Sequence, residues 1–376
     1  GIGGEGELRA IFEPGFHRSA ENHALALAAL NAASASRTVK PEGDLAVVLR
    51  SALRSDQADL SEQALGLIGE WQVADLHDDV AALVDDNQSV GAIRLAAVRA
   101  LGLLGGDDAP RLAKLIDSGD ATEELKLAAL DSLSRVDMSA AASRGAALLA
   151  LGRATTGVLS PFLNREGGGP ALTAALARRK PGAAPAAVAL AKLQSLGSNE
   201  TGLMNLLSQA AGIENTVPAY SAEFVAALAK ESAKGNAANG RQTFQAAGCA
   251  VCHKIGSATN NGIPFIGPEL DTIGNTLSTE RIIEEVLWPG RHVKEGFSLM
   301  QVTTRSGTIH QGYEQRSRSK DIFLRPLSQP GTIQIPHDQI RSQAQIGSAM
   351  PAGLTAGLKR GQLRDLILFL AEQGRN

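Results

Sequence analysis

The sequence predicts a mainly α-helical chain in which repeated helix pairs precede a second helical region interrupted by a short β-rich stretch. Three observations carry this expectation. Ala, Leu and Gly are plentiful while aromatic residues make up only 3% of the chain, a balance that suits close-packed helices. Similar apolar segments recur at offsets of 32 and 36 residues in the first part. Between Phe297 and Ser342 strict apolar–polar alternation replaces helical periodicity. At 376 residues and 44% hydrophobic, the chain has room for two or three domains.

The repeats come first. Ala64-Leu65-Gly66-Leu67-Ile68-Gly69 matches Ala100-Leu101-Gly102-Leu103-Leu104-Gly105, and Leu95-Ala96-Ala97 matches Leu127-Ala128-Ala129. An earlier Ala28-Ala29-Leu30 fits the series. A second apolar-periodic stretch follows each of the first two units, at 75–84 and 109–116, so the units read as helix pairs. This spacing suits α-solenoid units that stack to bury one continuous core, and the segment resembles degenerate HEAT repeats. Beyond Asp137 the pattern loosens, with turns at Gly167-Gly168-Gly169-Pro170 and Pro181-Gly182. Helices are expected again at 186–196, 202–211 and 222–234, ending at the Gly235-Asn236 break. The start, GIGGEGEL, reads as a linker or processed end.

The charge is uneven. Residues before 235 hold 21 Lys and Arg against 28 Asp and Glu, and the remainder hold 15 against 11. The basic residues are scattered without interleaved aromatics, which argues against nucleic acid and for a modest electrostatic bias in protein docking. No run of eighteen apolar residues occurs. The first part contains no cluster of metal ligands and no nucleophile beside a base, so it reads as a scaffold or docking surface.

Chemistry concentrates in Cys249-Ala250-Val251-Cys252-His253, which holds the only two cysteines of the chain. Two thiols at this spacing can add to both vinyl groups of haem, and the adjacent histidine is then placed to bind the iron. A structural zinc site would need about four ligands, and no second CxxC or His pair lies nearby. A thioredoxin-like pair would need a βαβ setting, whereas the flanks are helical. A plain disulfide remains the open alternative.

The neighbourhood supports the haem reading. A short helix at 239–247 precedes the motif, and an amphipathic helix at 359–373 carries Leu363, Leu366, Ile367 and Phe369. This order resembles class I cytochromes c, whose first and last helices cross, and it pairs the small Gly240 with Phe369. Fourteen residues after His253 begins Gly267-Pro268-Glu269-Leu270. It resembles the GPxL element of those proteins, which implies that the Pro268 carbonyl accepts the ring N–H of His253. Met350, in Ser348-Ala349-Met350-Pro351 just ahead of the last helix, stands where their distal ligand is found, so Met350 is expected on the iron opposite His253. Met300 lies in an alternating stretch and reads as core. His292 is the foremost alternative ligand, with His310 and His337 behind it.

The β-rich stretch is not part of a simple cytochrome c. Strands are expected at 297–304, 308–314, 321–326, 332–335 and 339–342, forming a small barrel. Eight basic against four acidic residues lie between Arg291 and Gln345, Arg316, Arg318 and Lys320 among them, so this stretch reads as a partner-recognition surface or a plain solvated face.

Residues 238–376 together resemble the haem-binding domain family of planctomycetes and their relatives. Gly240, the CxxCH, Gly267-Pro268, Trp288-Pro289, Gly296-Phe297, the β insertion, the Met350-Pro351 loop and the last helix follow in that family's order. The resemblance implies a HEAT-like α-solenoid followed by a class I cytochrome c-like helical domain with a β-barrel-like insertion. The expected divisions are 1–19 as a tail or linker, 20–234 as helical repeats, and 235–376 as the cytochrome domain, with the insertion at about 294–345. Family members often carry a dehydrogenase-like β-propeller further upstream, which suits the linker-like start. The expected cofactor is one covalent haem c with iron held by His253 and Met350. The expected role is electron transfer between a dehydrogenase and a downstream acceptor, not enzymatic catalysis, and the expected location is the periplasm or another extracytoplasmic site such as the cell surface, because haem is joined to CxxCH outside the cytoplasm. The competing class is catalysis or gas sensing at an open or His-ligated haem, with His310 or Arg291 as polar distal groups.

Overall fold

In the computed structural model the chain is mainly helical, with one small five-stranded antiparallel sheet. The structure describes residues 9, 19–37, 40–198, 200–213, 219–258, 265–317, 320–327 and 330–375. Two compact units emerge, one of residues 1–148 with 155–162, the other of 149–154 with 163–376.

The first unit contains α1 (Ala20–Arg37), α2 (Leu45–Leu53), α3 (Ala58–Glu70), α4 (His77–Asp85), α5 (Gly91–Leu104), α6 (Ala109–Asp117) and α7 (Glu123–Val136), with most of α8 (Met138–Ala150) and of α9 (Thr156–Leu163). Contacts run in series from α1 to α3, α5 and α7, while α2, α4 and α6 each pack against the helix that follows them. The repeated glycines make this stacking close. A Cβ on Gly102 of α5 would lie 2.7 Å from the Ser132 Cα of α7, and one on Gly69 of α3 would lie 3.0 Å from the Ala100 Cα of α5. The hydroxyl of Ser132 donates to the Val98 carbonyl at 2.8 Å, so the same contact satisfies the polar group it buries. Forcing a side chain in at Gly102 costs about 1–3 kcal/mol by overpacking.

A buried charge cluster links successive pairs. The Asp108 side chain is 2% exposed and meets His77 Nε2 at 2.6 Å, with the Arg111 guanidinium on its other oxygen. Burial disfavours charge on His77, but hydrogen bonds and attraction from Asp108 and Asp78 outweigh it and raise His77 above 6.5. A raised histidine stabilises the fold fully below its unfolded value, and that contribution disappears as the pH climbs through the higher folded value. We therefore expect the urea midpoint of this unit to fall as the pH rises above about 6.5, the ordinary histidine value, and His77→Gln to flatten the slope. An equal slope in the variant would refute the linkage.

The second unit holds α10 (Gly168–Arg178), α11 (Ala183–Ser195), α12 (Thr201–Ala210), α13 (Ala222–Ser232), α14 (Ala237–Ala246), α15 (Cys249–Cys252), α16 (Ile273–Thr276), α17 (Thr279–Leu287) and α18 (Arg360–Ala371), with the sheet between α17 and α18. The crossing of α14 over α18 is its centre. The buried side of α18 includes Leu363, Leu366, Ile367, Phe369 and Leu370. Gly240 sits against the Asp365 carbonyl and the Phe369 side chain, so a leucine at 240 would force the helices apart. Phe244 meets Phe369 with ring centroids 5.7 Å apart. The buried Asp365 carboxylate accepts the Asn236 N–H at 3.0 Å and pins the start of α14.

The break expected after residue 234 lies inside this unit. Helix α13, assigned from sequence to the repeats, contributes Val225 and Leu228 to the core built by α14, α17 and α18. Residues 164–166 also pair with the turn at Gly307, through the Glu166 N–H to the Gly307 carbonyl at 3.0 Å and the Ile309 N–H to the Asn164 carbonyl at 2.7 Å. A pattern of apolar residues identifies a helix but not which core receives it.

The sheet comprises β1 (Ser298–Thr304), β2 (Ile309–Ser317), β3 (Asp321–Pro326), β4 (Ile333–Pro336) and β5 (Ile340–Ser348), in the order β4-β3-β2-β1-β5. The barrel expected from sequence is corrected to an open sheet with β4 and β5 as its edges. Closure needs a consistent strand tilt and stagger, which a four-residue β4 does not supply. Strand β5 runs six residues past its expected end because an exposed edge strand needs no apolar alternation: Arg341 to Gln345 are all exposed. One face encloses Met300, Val302, Ile322, Leu324 and Ile335. The other gathers Leu299, Tyr313, Leu327 and Ala349 with Ile266 and Phe297.

Candidate functional site

The second face of the sheet and the α14–α18 core bound a cavity of about 1330 Å³, larger than the about 300–1,000 Å³ of ordinary small-molecule pockets. Cys249, Cys252, His253, Gly267, Pro268 and Met350, singled out from the sequence, all line it. The three elements that bring them together are α15 directly after α14, the strap at 265–271, and the loop between β5 and α18.

The motif is set by the turn between α14 and α15. Gly248 adopts φ 79°, a left-handed conformation that reverses the chain and begins α15 at Cys249. The strap then lies back along the motif, with the Gly267 N–H donating to the Cys252 carbonyl at 2.8 Å and the Leu270 N–H to the Lys254 carbonyl at 2.9 Å. Lys254 and Glu269 add an ion pair at 2.8 Å. This registry aims the Pro268 carbonyl at the imidazole, and His253 Nδ1 lies 2.9 Å from it. A carbonyl only accepts, so Nδ1 carries the proton and Nε2 keeps its lone pair. Burial lowers the His253 pKa, only partly opposed by the Pro268 bond, so the ring is neutral at pH 7. Gly267 is needed for this approach: a Cβ there would come 2.6 Å from Nδ1 and 2.9 Å from Nε2.

The two thiols are not bonded to one another. Burial pushes Cys249 up to about 11 and Cys252 upward as well. Both are therefore thiols at neutral pH, unlike the depressed thiolates of disulfide-exchange motifs. No group of three or more His, Cys, Asp or Glu side chains arranged to hold a metal ion occurs among the described residues. A protein-only zinc site is thus not formed around His253, whereas a tetrapyrrole brings four of its metal's ligands itself. An apolar cavity, two thiols on one rim, an imidazole held in the ligating tautomer and a thioether on the wall fit such a group.

The alternative ligands distribute differently. Met300 is core on the far face of the sheet, as expected. His310 pairs with Val302 across β1 and β2 and stands on that same far face. His292 does line the cavity, but its Nε2 also lies 3.5 Å from a Glu284 carboxylate oxygen. Arg291 stacks over the Tyr220 ring at 3.6 Å. Arg318 lies outside the described residues. Sequence reasoning missed that the β insertion builds part of the wall, through Phe297 and Tyr313, and that Leu190 and Gln194 of α11 contribute to it. Alternation placed Tyr313 on one face of a strand without revealing what that face covers.

No helix among the described residues is long and apolar enough to cross a membrane. No protein-family model matches the chain, and no curated protein matches it.

Proposed function

We propose that this chain is a c-type cytochrome that carries electrons on one covalently bound haem. The observation that carries the reading is the 2.9 Å contact from His253 Nδ1 to the Pro268 carbonyl, in a cavity that also receives Cys249, Cys252 and Met350. Cys249 and Cys252 would form the thioether links, and Nε2 of His253 and the Met350 sulfur would hold the iron. When bound, the haem supplies a one-electron couple.

The protein's own residues do the rest. Pro268 fixes the imidazole tautomer and plane, Gly267 leaves the ring its space, and the Met350 loop brings a soft ligand that favours ferrous iron. The apolar wall from α14, α17 and α18 limits water, which also raises the potential. In this reading the helix stack of the first unit is a HEAT-like solenoid that serves as a scaffold, and the second unit elaborates a class I cytochrome c-like fold. The partners are a dehydrogenase donor and an acceptor protein, and the location is periplasmic, where attachment to CxxCH takes place. A second reading, catalysis or sensing at a haem with an open or His-ligated position, rests on His292 in the same cavity beside Glu284.

Optical spectra of protein produced with a haem-attachment system test the proposal. The expected result is one c-type haem per chain in alkaline pyridine and sharp low-spin bands in the native state. A chain that emerges without covalent haem would overturn it.

A further inference from the structure

We propose that Tyr313, from the β insertion, binds a carboxylate of the haem by donating its phenolic proton, which makes the insertion part of the cofactor site. The inference rests on the haem reading above. Its starting point is a polar group without a visible purpose in the fold. Tyr313 is 2% exposed and lines the cavity. Among the described residues no hydrogen bond engages its hydroxyl; its charged neighbour is Arg325. The hydroxyl is not among the atoms shut away inside the protein, so it opens on the cavity, where a ligand can pair with it.

Two neighbours hold the ring in place. Phe297 meets it edge-on with centroids 5.4 Å apart, and the Arg325 guanidinium lies 4.9 Å over its centroid. Arg325 Nη1 in turn donates to the Phe265 carbonyl at 3.3 Å, just before the strap that carries Gly267 and Pro268. A second cation, Lys294, lines the same cavity and stands 5.7 Å from the Phe297 centroid. Two cations backing two cavity rings give this wall a positive potential. A neutral phenol on a positive wall donates best to an anion. Haem carries its anionic groups as carboxylates, and burial, which pushes the Tyr313 hydroxyl up to about 12, keeps it a donor at every pH of interest.

The test compares the full chain with Tyr313→Phe, both produced with attached haem. The pyridine spectrum first establishes haem content: wild type without haem overturns the function itself, whereas haem in both chains leaves this inference to be decided alone. Loss of the donor leaves more negative charge beside the iron, so potentiometric titration of the variant should show a ferric-to-ferrous ratio about threefold higher at fixed potential, with an altered pH dependence. An unchanged potential and pH profile would overturn the assignment. If the variant fails to take haem, the wild type decides: exchange into D₂O should shift the propionate bending band in resonance Raman, and an unmoved band overturns the assignment.

Discussion

Replacing Met350 by alanine is expected to convert the haem from low-spin to a state with one open position. The Met350 backbone N–H is tied to Ser348 Oγ at 3.1 Å, so the loop that brings the sulfur to the cavity is anchored independently of the side chain. The variant should therefore keep the fold and lose only the ligand. Absorption from methionine on ferric iron should vanish, the ferrous form should take carbon monoxide without denaturant, and the midpoint potential should fall by on the order of 100 mV, against the roughly 0.8 V that axial ligation spans. A variant with an unaltered spectrum would move the distal role to another group. His292 is the first to test, because it reaches the same cavity.

Preparing the chain without haem, as the Cys249→Ser, Cys252→Ser double variant or without attachment machinery, is expected to destroy the packing of the second unit and spare the first. An unfilled cavity costs about 24 cal/mol per Å³. If only a quarter of the 1330 Å³ stayed dry, the penalty would be about 8 kcal/mol, which matches the roughly 5–15 kcal/mol total stability of a typical domain. The two tryptophans report separately. Trp71 lies in the first unit and donates from Nε1 to Ser34 Oγ at 2.9 Å, whereas Trp288 packs against the core of the second. In a Trp71→Phe background the cofactor-free protein should show red-shifted, easily quenched Trp288 emission while much of the helical circular dichroism remains. Buried-type Trp288 emission with a sharp melting transition would contradict this account.

The sequence reached furthest where the rule is local. CxxCH, the Gly-Pro pair fourteen residues later and the methionine before the last helix are short patterns whose chemistry depends on residue type and spacing. All of them line one cavity. Amphipathic helices were legible for the same reason: α18, expected at 359–373, differs by two residues or fewer at each end. Gly240 against Phe369 was expected from the resemblance to class I cytochromes c, and the two do meet where α14 crosses α18.

What remained hidden was non-local. Strand alternation gave the faces of β1 and β2 but not that one face covers the cavity, so Tyr313 and Phe297 went unread as wall residues. The exposed edge β5 carried no periodic signal beyond Ser342, and no pattern of apolar residues distinguished an open sheet from a closed one. Helix α13 shows the limit most clearly. Its Val225 and Leu228 form an ordinary apolar stripe, and a stripe specifies that a face must be buried without specifying the partner. The sequence by itself singled out residues that prove to line one cavity and segments that prove helical, since both follow from side-chain chemistry and backbone periodicity. Tertiary structure alone decided which surfaces meet around that cavity, because burial is shared among segments far apart in the chain, and no segment carries its partner's half of the contact.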